Sequence, residues 1–335
     1  MIKYFLSIAT ISFLLSISLH AQTPSYYHYT TSDGLASSTV FSIVQDRDGY
    51  IWLGTLNGLN KFDGKRFTTY RMEDGLNSNS ITNIVAGDKD ELFIGNFEKG
   101  INVFKDGKIE NYRNEIDGQN FTTSFFVLDD SEKNQNKLLA SFKSGPIFVI
   151  KEKTKNNPSE YVFNPYPIRI NRLAKFSDKK IVVLTTIGLF SFNDDKLTKL
   201  NIAGLPDTNF YCLANAIDGS FVIGSRGMIY QIKNNRVIKN YKINLFDNDE
   251  VSQIFIDSKN NIWFSIVNRG FFFIPNGSDK ILNLGSKMDL GTTMVNGYLE
   301  DSEGNIWVTT FGKGVYCLNN LYLRNYLILL YKRKS

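Results

Sequence analysis

A repeat of about 42 residues constrains the fold of this chain more than any other feature. Trp52, Trp263 and Trp307 each follow an isoleucine inside a short apolar run, and a glycine or asparagine lies three positions before each of them. Weaker copies without the tryptophan fill the interval, and successive copies are 40 to 46 residues apart. A period of this length indicates a repeat architecture. The equivalent positions are Trp52, Phe93, Leu139, Val182, Val222, Trp263 and Trp307.

Each copy predicts four short strands separated by turn residues. The pattern is clearest in the second copy, at 80–86, 92–96, 100–105 and 108–112, where Asp and Gly punctuate the boundaries. Four strands per copy form a blade, so the seven copies predict an all-β, seven-bladed β-propeller with four antiparallel strands per blade. An open solenoid is the rival, but its repeats are usually shorter and rarely contain an Asp-Gly hairpin in every copy.

The two ends of the repeat region predict how the ring closes. Residues 26–30 resemble residues 67–70, and an Asp-Gly-Leu triplet follows each segment, at 33–35 and 74–76. Residues 67–70 are the outer strand of the first blade, so residues 26–30 are expected to be an outer strand as well. The N-terminal strand would then complete the last blade and close the propeller, which removes the exposed strand edges of an open ring.

The chain divides into three predicted segments. Residues 1–21 have one early charge, an apolar run and a small residue at the end, as in a secretory signal peptide. An uncleaved anchor is the alternative, although the run is shorter than the ~20 residues of a membrane span. Residues 22–320 are the propeller, which is expected in the periplasm. Residues 321–335 form a short tail that resembles the start of a further repeat in a truncated reading frame.

Composition excludes several classes of function. The chain has 42% hydrophobic and 21% charged residues and a net charge of +5, with no clustered basic face, so it is expected to be soluble and not to bind nucleic acid. Cys212 and Cys317 lie in separate apolar runs, which indicates buried free thiols. Because His20 leaves with the leader, His28 is the only histidine left. No multi-histidine metal site, no cofactor site and no two-histidine catalytic relay are expected.

A specific family resemblance lies in residues 33–38, 44–55 and 58–64. These segments resemble the two-component regulator propeller repeat, which is found in the periplasmic sensor region of Bacteroidetes-type hybrid two-component histidine kinases. In that family an exported sensor precedes a membrane span and cytoplasmic kinase domains. This sequence shows neither the span nor the kinase domains. The resemblance therefore implies a ligand-sensing propeller without its own kinase, which recognises a carbohydrate released from a polysaccharide.

Two other functions stay open on the sequence. A propeller-type polysaccharide lyase would need an imidazole or a metal near the central channel, and His28 is predicted to lie in the closing outer strand instead. A free-standing exported adhesion or scaffold module would bind a protein partner through one face of the disc. An oligosaccharide ligand is expected, and a homodimer or further sensor domains are additional candidate partners.

The hairpin between the second and third strands of each copy contains the candidate ligand-binding residues. Basic residues recur one or two positions before the hairpin glycine in five of the seven copies, and phenylalanines lie nearby. We hypothesise that they form a broken positive ring that binds an anionic glycan. The alternative is that these side chains are simply solvated. The candidates are Lys99, Lys143, Arg226, Arg269, Lys313, Phe97, Phe142 and Phe311.

Aspartates recur in the hairpin before each tryptophan. A cation loop and a catalytic carboxylate pair are the functional alternatives, but a catalytic pair must face one substrate across a cleft. These aspartates recur once per copy at the same rim, which favours a role in the turns. The tryptophans are expected to pack between blades rather than stack on sugars, because they lie among branched aliphatic residues. The aspartates are Asp46, Asp48, Asp257 and Asp301, and the structural blade motif comprises Trp52, Trp263, Trp307, Gly54, Gly95 and Gly224.

Overall fold

The computed structural model describes residues 25–320, with gaps at 88–89, 98, 114–121, 131–134, 143–146, 152–159, 163–168, 177–180, 194–195 and 244–248. The predicted signal peptide and the tail at 321–335 lie outside the described residues. In the described part, no helix is both long enough and apolar enough to cross a membrane.

The described strands form four-stranded antiparallel sheets, which we number along the chain. Sheet 1 contains β2 (Val40–Gln45), β3 (Ile51–Thr55), β4 (Gly58–Phe62) and β5 (Phe67–Tyr70); sheet 2 contains β6 (Ile81–Ala86), β7 (Leu92–Asn96), β8 (Ile101–Lys105) and β9 (Lys108–Arg113); sheet 3 contains β10 (Thr122–Asp130), β11 (Gln135–Phe142), β12 (Ile147–Lys151) and β13 (Glu160–Val162); sheet 4 contains β14 (Ile170–Lys175), β15 (Ile181–Thr185), β16 (Gly188–Asn193) and β17 (Lys196–Lys199).

The remaining sheets follow the same plan. Sheet 5 contains β18 (Cys212–Asn215), β19 (Phe221–Gly224), β20 (Met228–Lys233) and β21 (Arg236–Lys242); sheet 6 contains β22 (Val251–Ile256), β23 (Ile262–Ile266), β24 (Phe271–Ile274) and β25 (Leu282–Asn283); sheet 7 contains β26 (Val295–Glu300), β27 (Ile306–Thr310), β28 (Val315–Leu318) and β1 (Tyr26–Tyr29). Short 3-10 turns occupy Thr31–Asp33, Met72–Asp74 and Gly285–Lys287.

The first strands of the sheets surround a common axis. Each first strand contacts the first strand of the next sheet, from β2 through β6, β10, β14, β18 and β22 to β26, and β26 contacts β2 again. Sheets arranged radially around such an axis are the blades of a β-propeller. The predicted all-β propeller with four antiparallel strands per blade is therefore confirmed.

The N-terminal strand closes the ring. β1 pairs with β28 in antiparallel register, from Tyr26 opposite Leu318 to Tyr29 opposite Val315. The Tyr29 ring stacks on Trp307, with 5.7 Å between centroids, and also contacts Phe62 of sheet 1. The closing strand therefore joins the last sheet to the first through side-chain packing as well as backbone hydrogen bonds.

The tryptophans pack between neighbouring sheets. Trp52 lies with Ile81 and Ile84 of sheet 2 in one buried cluster, and Trp263 and Trp307 occupy the corresponding positions towards sheets 7 and 1. Gly54 shows why a small residue follows, because a Cβ atom there would lie only 2.8 Å from Cγ2 of Ile81. The first strand of the next blade approaches the backbone at this point.

A β-bulge recurs near the start of the first strands. In six sheets the pairing with the second strand shifts by one residue after the first position, as between Ile170 and Arg172 or between Val251 and Gln253. A bulge leaves one residue unpaired and redirects the side chains beside it. This redirection occurs at the mouth of the central channel.

Candidate ligand-binding face

The described members of the predicted ligand-binding set lie at one end of the propeller. In an antiparallel blade, the hairpin between the second and third strands lies at the same end as the connections that enter and leave the blade. Backbone hydrogen bonds join the two features, as from Phe97 N to Ser80 O at 2.9 Å and from Phe311 N to Met294 O at 2.9 Å. We call this end the hairpin face; its described hairpins are residues 56–57, 97, 99–100, 186–187, 225–227, 267–270 and 311–314.

Three of the five predicted basic residues form ion pairs on this face. Arg226 Nη2 lies 2.5 Å from Glu250 Oε1, and Arg269 Nε lies 3.5 Å from Asp249 Oδ2. Lys313 Nζ donates to the Asp289 carbonyl oxygen at 2.6 Å and lies 3.1 Å from its carboxylate. Each acid belongs to a connection that leads into a first strand: Asp249 and Glu250 precede β22, and Asp289 precedes β26. These three cations are thus balanced locally by carboxylates.

The structure gives no ion pair for the other predicted ring residues that it describes. Lys99 is exposed on the hairpin face, and Lys143 lies outside the described residues. Phe311 is 55% exposed, Phe97 is partly buried, and Phe142 ends β11. The positive ring therefore stays a prediction, supported by the shared face but not by an excess of unpaired charge.

Exposed apolar side chains recur on the hairpin face at sheets 6, 7 and 1. Met294 is 41% exposed and accepts the Phe311 backbone hydrogen bond through its carbonyl, while Val267 is 37% exposed in the hairpin of sheet 6. Leu56, at the equivalent position in sheet 1, is 51% exposed. Their recurrence on one face makes the hairpin face the candidate binding surface.

A hydrogen-bonded network beside these side chains was not predicted from the sequence. Tyr211 Oη donates to Glu250 Oε1 at 3.0 Å and accepts from Arg226 Nε at 3.1 Å. Asn209 Nδ2 donates to the same hydroxyl at 3.0 Å, and Asn171 Nδ2 donates to Asn209 Oδ1 at 2.6 Å. We call Asn171, Asn209, Tyr211, Arg226 and Glu250 the polar network; it follows the channel mouth from sheet 4 to sheet 6.

The electrostatics of the polar network follow from burial and from its ion pair. Burial raises the pKa of the Tyr211 hydroxyl, and the neighbouring Glu250 carboxylate raises it further. The hydrogen bond from Arg226 to Glu250 raises the pKa of the Arg226 guanidinium. The network therefore presents a neutral phenol, two amides and an ion pair to solvent. Only Arg226 was recognisable in the sequence, because the other members have no repeat pattern.

The hairpin aspartates perform structural tasks. Asp46 Oδ2 accepts the indole N–H of Trp52 at 2.6 Å, and Asp46 Oδ1 accepts the backbone N–H of Tyr50 at 2.9 Å. Asp257 and Asp301 accept from their tryptophans at 2.9 and 2.7 Å. The turn interpretation is confirmed for these three carboxylates, and the indole bond is an addition to it. Asp48 is exposed in the first hairpin.

A second concave surface lies at the opposite end of the propeller, where the last sheet meets the first. This groove has a volume of about 750 Å³, and its walls include Tyr27, Tyr29 and Trp307 together with the carboxylates of Asp48 and Glu303. It does not contain any of the eight candidate ligand-binding residues, although the motif residue Trp307 and the hairpin aspartates Asp48 and Asp301 line it.

His28 contacts a backbone carbonyl and an aromatic ring in the described structure. Its Nε2 atom lies 2.8 Å from the Lys313 carbonyl oxygen, and its ring stacks on Tyr316 at 4.1 Å. It lies on β1, the outer strand of sheet 7, so it is remote from the channel. Among the described residues, no group of three or more His, Cys, Asp or Glu side chains could hold a metal ion.

Comparisons with known proteins identify the repeat. Residues 34–57 match the two component regulator propeller family. Histidine kinase P4 of Formosa agariphila is 48% identical over 67 residues, which are 19% of this chain and 5% of that protein. The resemblance drawn from the sequence is therefore confirmed, and the chain is a β-propeller that contains the two-component regulator propeller repeat.

Solved structures share the fold. The extracellular domains of the putative hybrid two-component systems BT3049 and BT4673 from B. thetaiotaomicron align with TM-scores of 0.65 and 0.70 at 20% and 18% identity. Each alignment covers 89% of this chain, but only 42% and 43% of those chains. A virginiamycin B lyase from Staphylococcus aureus aligns with a TM-score of 0.66 at 13% identity, over 88% of this chain and 98% of that chain. This chain spans less than half of those extracellular domains, and its match covers a small part of the curated kinase.

Proposed function

We propose that this chain is an extracytoplasmic, ligand-sensing propeller of a hybrid two-component signalling system. In this proposal it works in the periplasm, binds a carbohydrate derived from a polysaccharide on the hairpin face, and leaves phosphotransfer to a kinase domain. The matched repeat and the likeness to extracellular domains of hybrid two-component systems support the sensing role.

The juxtaposition of the polar network with exposed apolar side chains supports the carbohydrate. A pyranose ring presents hydroxyl groups, which exchange hydrogen bonds, and C–H faces, which pack on apolar side chains. The hairpin face offers amide, phenol and ion-paired groups at sheets 4 to 6, and Phe311 and Met294 beside them at sheet 7. Specific small-molecule sites commonly combine a few polar groups with apolar walls in this way.

Calorimetric titration of the purified chain from Gln22 onward with oligosaccharides released enzymatically from several polysaccharides tests this proposal. Phe311→Ala should weaken the best ligand by tenfold or more, because the substitution removes the most exposed ring of the face. Ile217→Ala is the matched control, since Ile217 is 74% exposed in a hairpin at the opposite end. Equal effects of the two substitutions, or the absence of binding to every oligosaccharide, would contradict the proposal.

The positive ring is tested separately by charge reversal at Lys99, Arg269 and Lys313. If these cations bind an anionic glycan, the triple variant should lose that binding while it keeps binding to neutral oligosaccharides. Unchanged binding of the anionic glycan would refute the ring hypothesis.

A further inference from the structure

Arg172 extends its side chain across the mouth of the central channel. It is the third residue of β14, and its Nη2 atom donates to Gln253 Oε1 at 2.8 Å. Gln253 is the third residue of β22, two sheets further on. β18 lies between these strands and contacts both of them. The side chain can pass β18 only on the axial side, so the guanidinium lies in the channel.

The Arg172 guanidinium has no acidic partner among the described residues. Burial lowers its pKa, and the only other contribution comes from the Cys212 thiol rather than from a carboxylate. An arginine nevertheless keeps its charge in a protein. It has five N–H donors, of which one is used by Gln253. Arg172 is partly exposed in the channel. A partly desolvated charge without a counter-ion is costly, so an exogenous anion would be favoured there.

Gln253 adds further donors at the same place. Its side-chain oxygen accepts from Arg172, which directs its NH₂ group to the other side of the amide, and no described residue accepts from that group. A guanidinium and an amide with unused N–H groups are suited to bind a carboxylate or a sulfate. The hairpin cations differ in this respect, since Arg226, Arg269 and Lys313 are already paired with carboxylates.

The channel group is within reach of a ligand on the hairpin face. A strand rises about 3.3 Å per residue, so the third residue lies roughly 7 Å below the start of β14. The residue before it, Asn171, belongs to the polar network and donates to Asn209 and to the Phe210 carbonyl oxygen. The polar network and Arg172 are therefore continuous along the chain.

We propose that Arg172 and Gln253 form an anion-binding subsite in the central channel, which takes the carboxylate or sulfate group of an acidic sugar. This inference rests on the proposed carbohydrate function and narrows its ligand class. The sugar ring would contact the polar network and the apolar side chains of the hairpin face, while its acidic group enters the channel.

The experiment compares the wild-type chain with Arg172→Gln and with Arg236→Gln. Arg236 is exposed at the opposite end, so its variant is the matched control. Binding of glucuronate, glucose 6-sulfate and glucose is measured by calorimetry. The wild type should bind at least one acidic sugar tenfold or more tighter than glucose, R172Q should lose that preference, and R236Q should keep it. The two acidic sugars show whether the subsite prefers carboxylate or sulfate.

Inorganic sulfate supplies a test that does not depend on sugar binding. At matched ionic strength, sulfate should raise the melting temperature of the wild type and of R236Q more than that of R172Q. A preference for acidic sugars that persists in R172Q overturns the inference, as does an equal sulfate effect in all three proteins. If neutral oligosaccharides bind and the acidic preference is absent, the subsite fails while the proposed function stands. Circular dichroism establishes that R172Q is folded, and R172K, which keeps the charge without the planar fork, should retain part of the preference.

Discussion

The buried carboxylate of Asp257 offers the sharpest test of how a tryptophan-containing blade is stabilised. Asp257 is 5% exposed and accepts four hydrogen bonds: from the backbone N–H groups of Lys259 and Asn261, from Asn261 Nδ2 and from Trp263 Nε1. In Asp257→Asn the new NH₂ group faces the indole N–H. Asn261 cannot simply rotate its amide, since its Oδ1 already accepts from Asn276 N at 2.9 Å.

The magnitude follows from those contacts. A buried donor left without an acceptor costs about 1–3 kcal/mol, and each hydrogen bond to a charged group contributes about 1.5–3 kcal/mol, although these terms are not additive. We therefore expect Asp257→Asn to lower the free energy of unfolding by about 3 kcal/mol, which corresponds to roughly 6–12 °C in melting temperature. Urea unfolding followed by circular dichroism measures the free energy, and calorimetry measures the melting temperature.

Asp48→Asn is the control for this substitution, because Asp48 is exposed in the equivalent hairpin of the first blade. It should change the free energy of unfolding by less than about 0.5 kcal/mol. The same Asp257→Asn change in a Trp263→Phe background should cost less, since the indole donor is gone. An effect of Asp257→Asn below about 1 kcal/mol, or an equal cost in both backgrounds, would refute the reasoning.

Three further outcomes are expected. Gly224→Ala should lower the free energy of unfolding by about 1–3 kcal/mol in urea titrations, because its Cβ would lie 2.6 Å from Cys212 Sγ; the added Cys212→Ala change should restore part of the loss. Burial raises the pKa of Cys212 and of Cys317 to about 12, so neither thiol should react with a disulfide reagent at pH 8 until the protein unfolds. Burial also raises the pKa of Tyr29 and of Tyr316 from 10.0 to about 12. The corresponding contribution to the free energy of unfolding should be complete below pH 10 and be lost as the pH rises to 12. Ultraviolet titration of the phenols, with unfolding curves at the same pH values, measures both.

The sequence predicts the blades well because their pattern is local. Trp52 and its equivalents fall on the second strand of each sheet, and the strand at 26–30 pairs where the Asp-Gly-Leu triplet indicates. The polar network was not predicted because its contacts are not local in the sequence. Asn171 and Asn209 are 38 residues apart, and Tyr211 and Glu250 are 39 apart, so each contact joins neighbouring blades. A one-dimensional repeat pattern does not distinguish these polar residues from solvated ones.

The acids that balance the hairpin cations show the same limit. Lys313 pairs with Asp289 over 24 residues, through a connection whose length and sequence differ from those of the other blades. The sequence locates the cations beside their hairpin glycines, yet it does not show which loop returns a carboxylate. Arg172 and Gln253 are 81 residues apart, beyond any local pattern. Only the closed ring brings them together.

The contrast between these cations determines where an anion is most favoured. Lys313 and Asp289 are 40% and 98% exposed, and an exposed pair of this kind contributes about 0–1 kcal/mol, since water and salt screen both charges. An arriving anion would have to compete there with a carboxylate that is already present, for a small gain. In the channel, Arg172 is partly buried and has no carboxylate partner among the described residues, so an arriving anion would meet less competition and a weaker screening of its charge. Selection by charge is therefore expected at the axis, and selection by shape and hydroxyl pattern on the surrounding hairpin face.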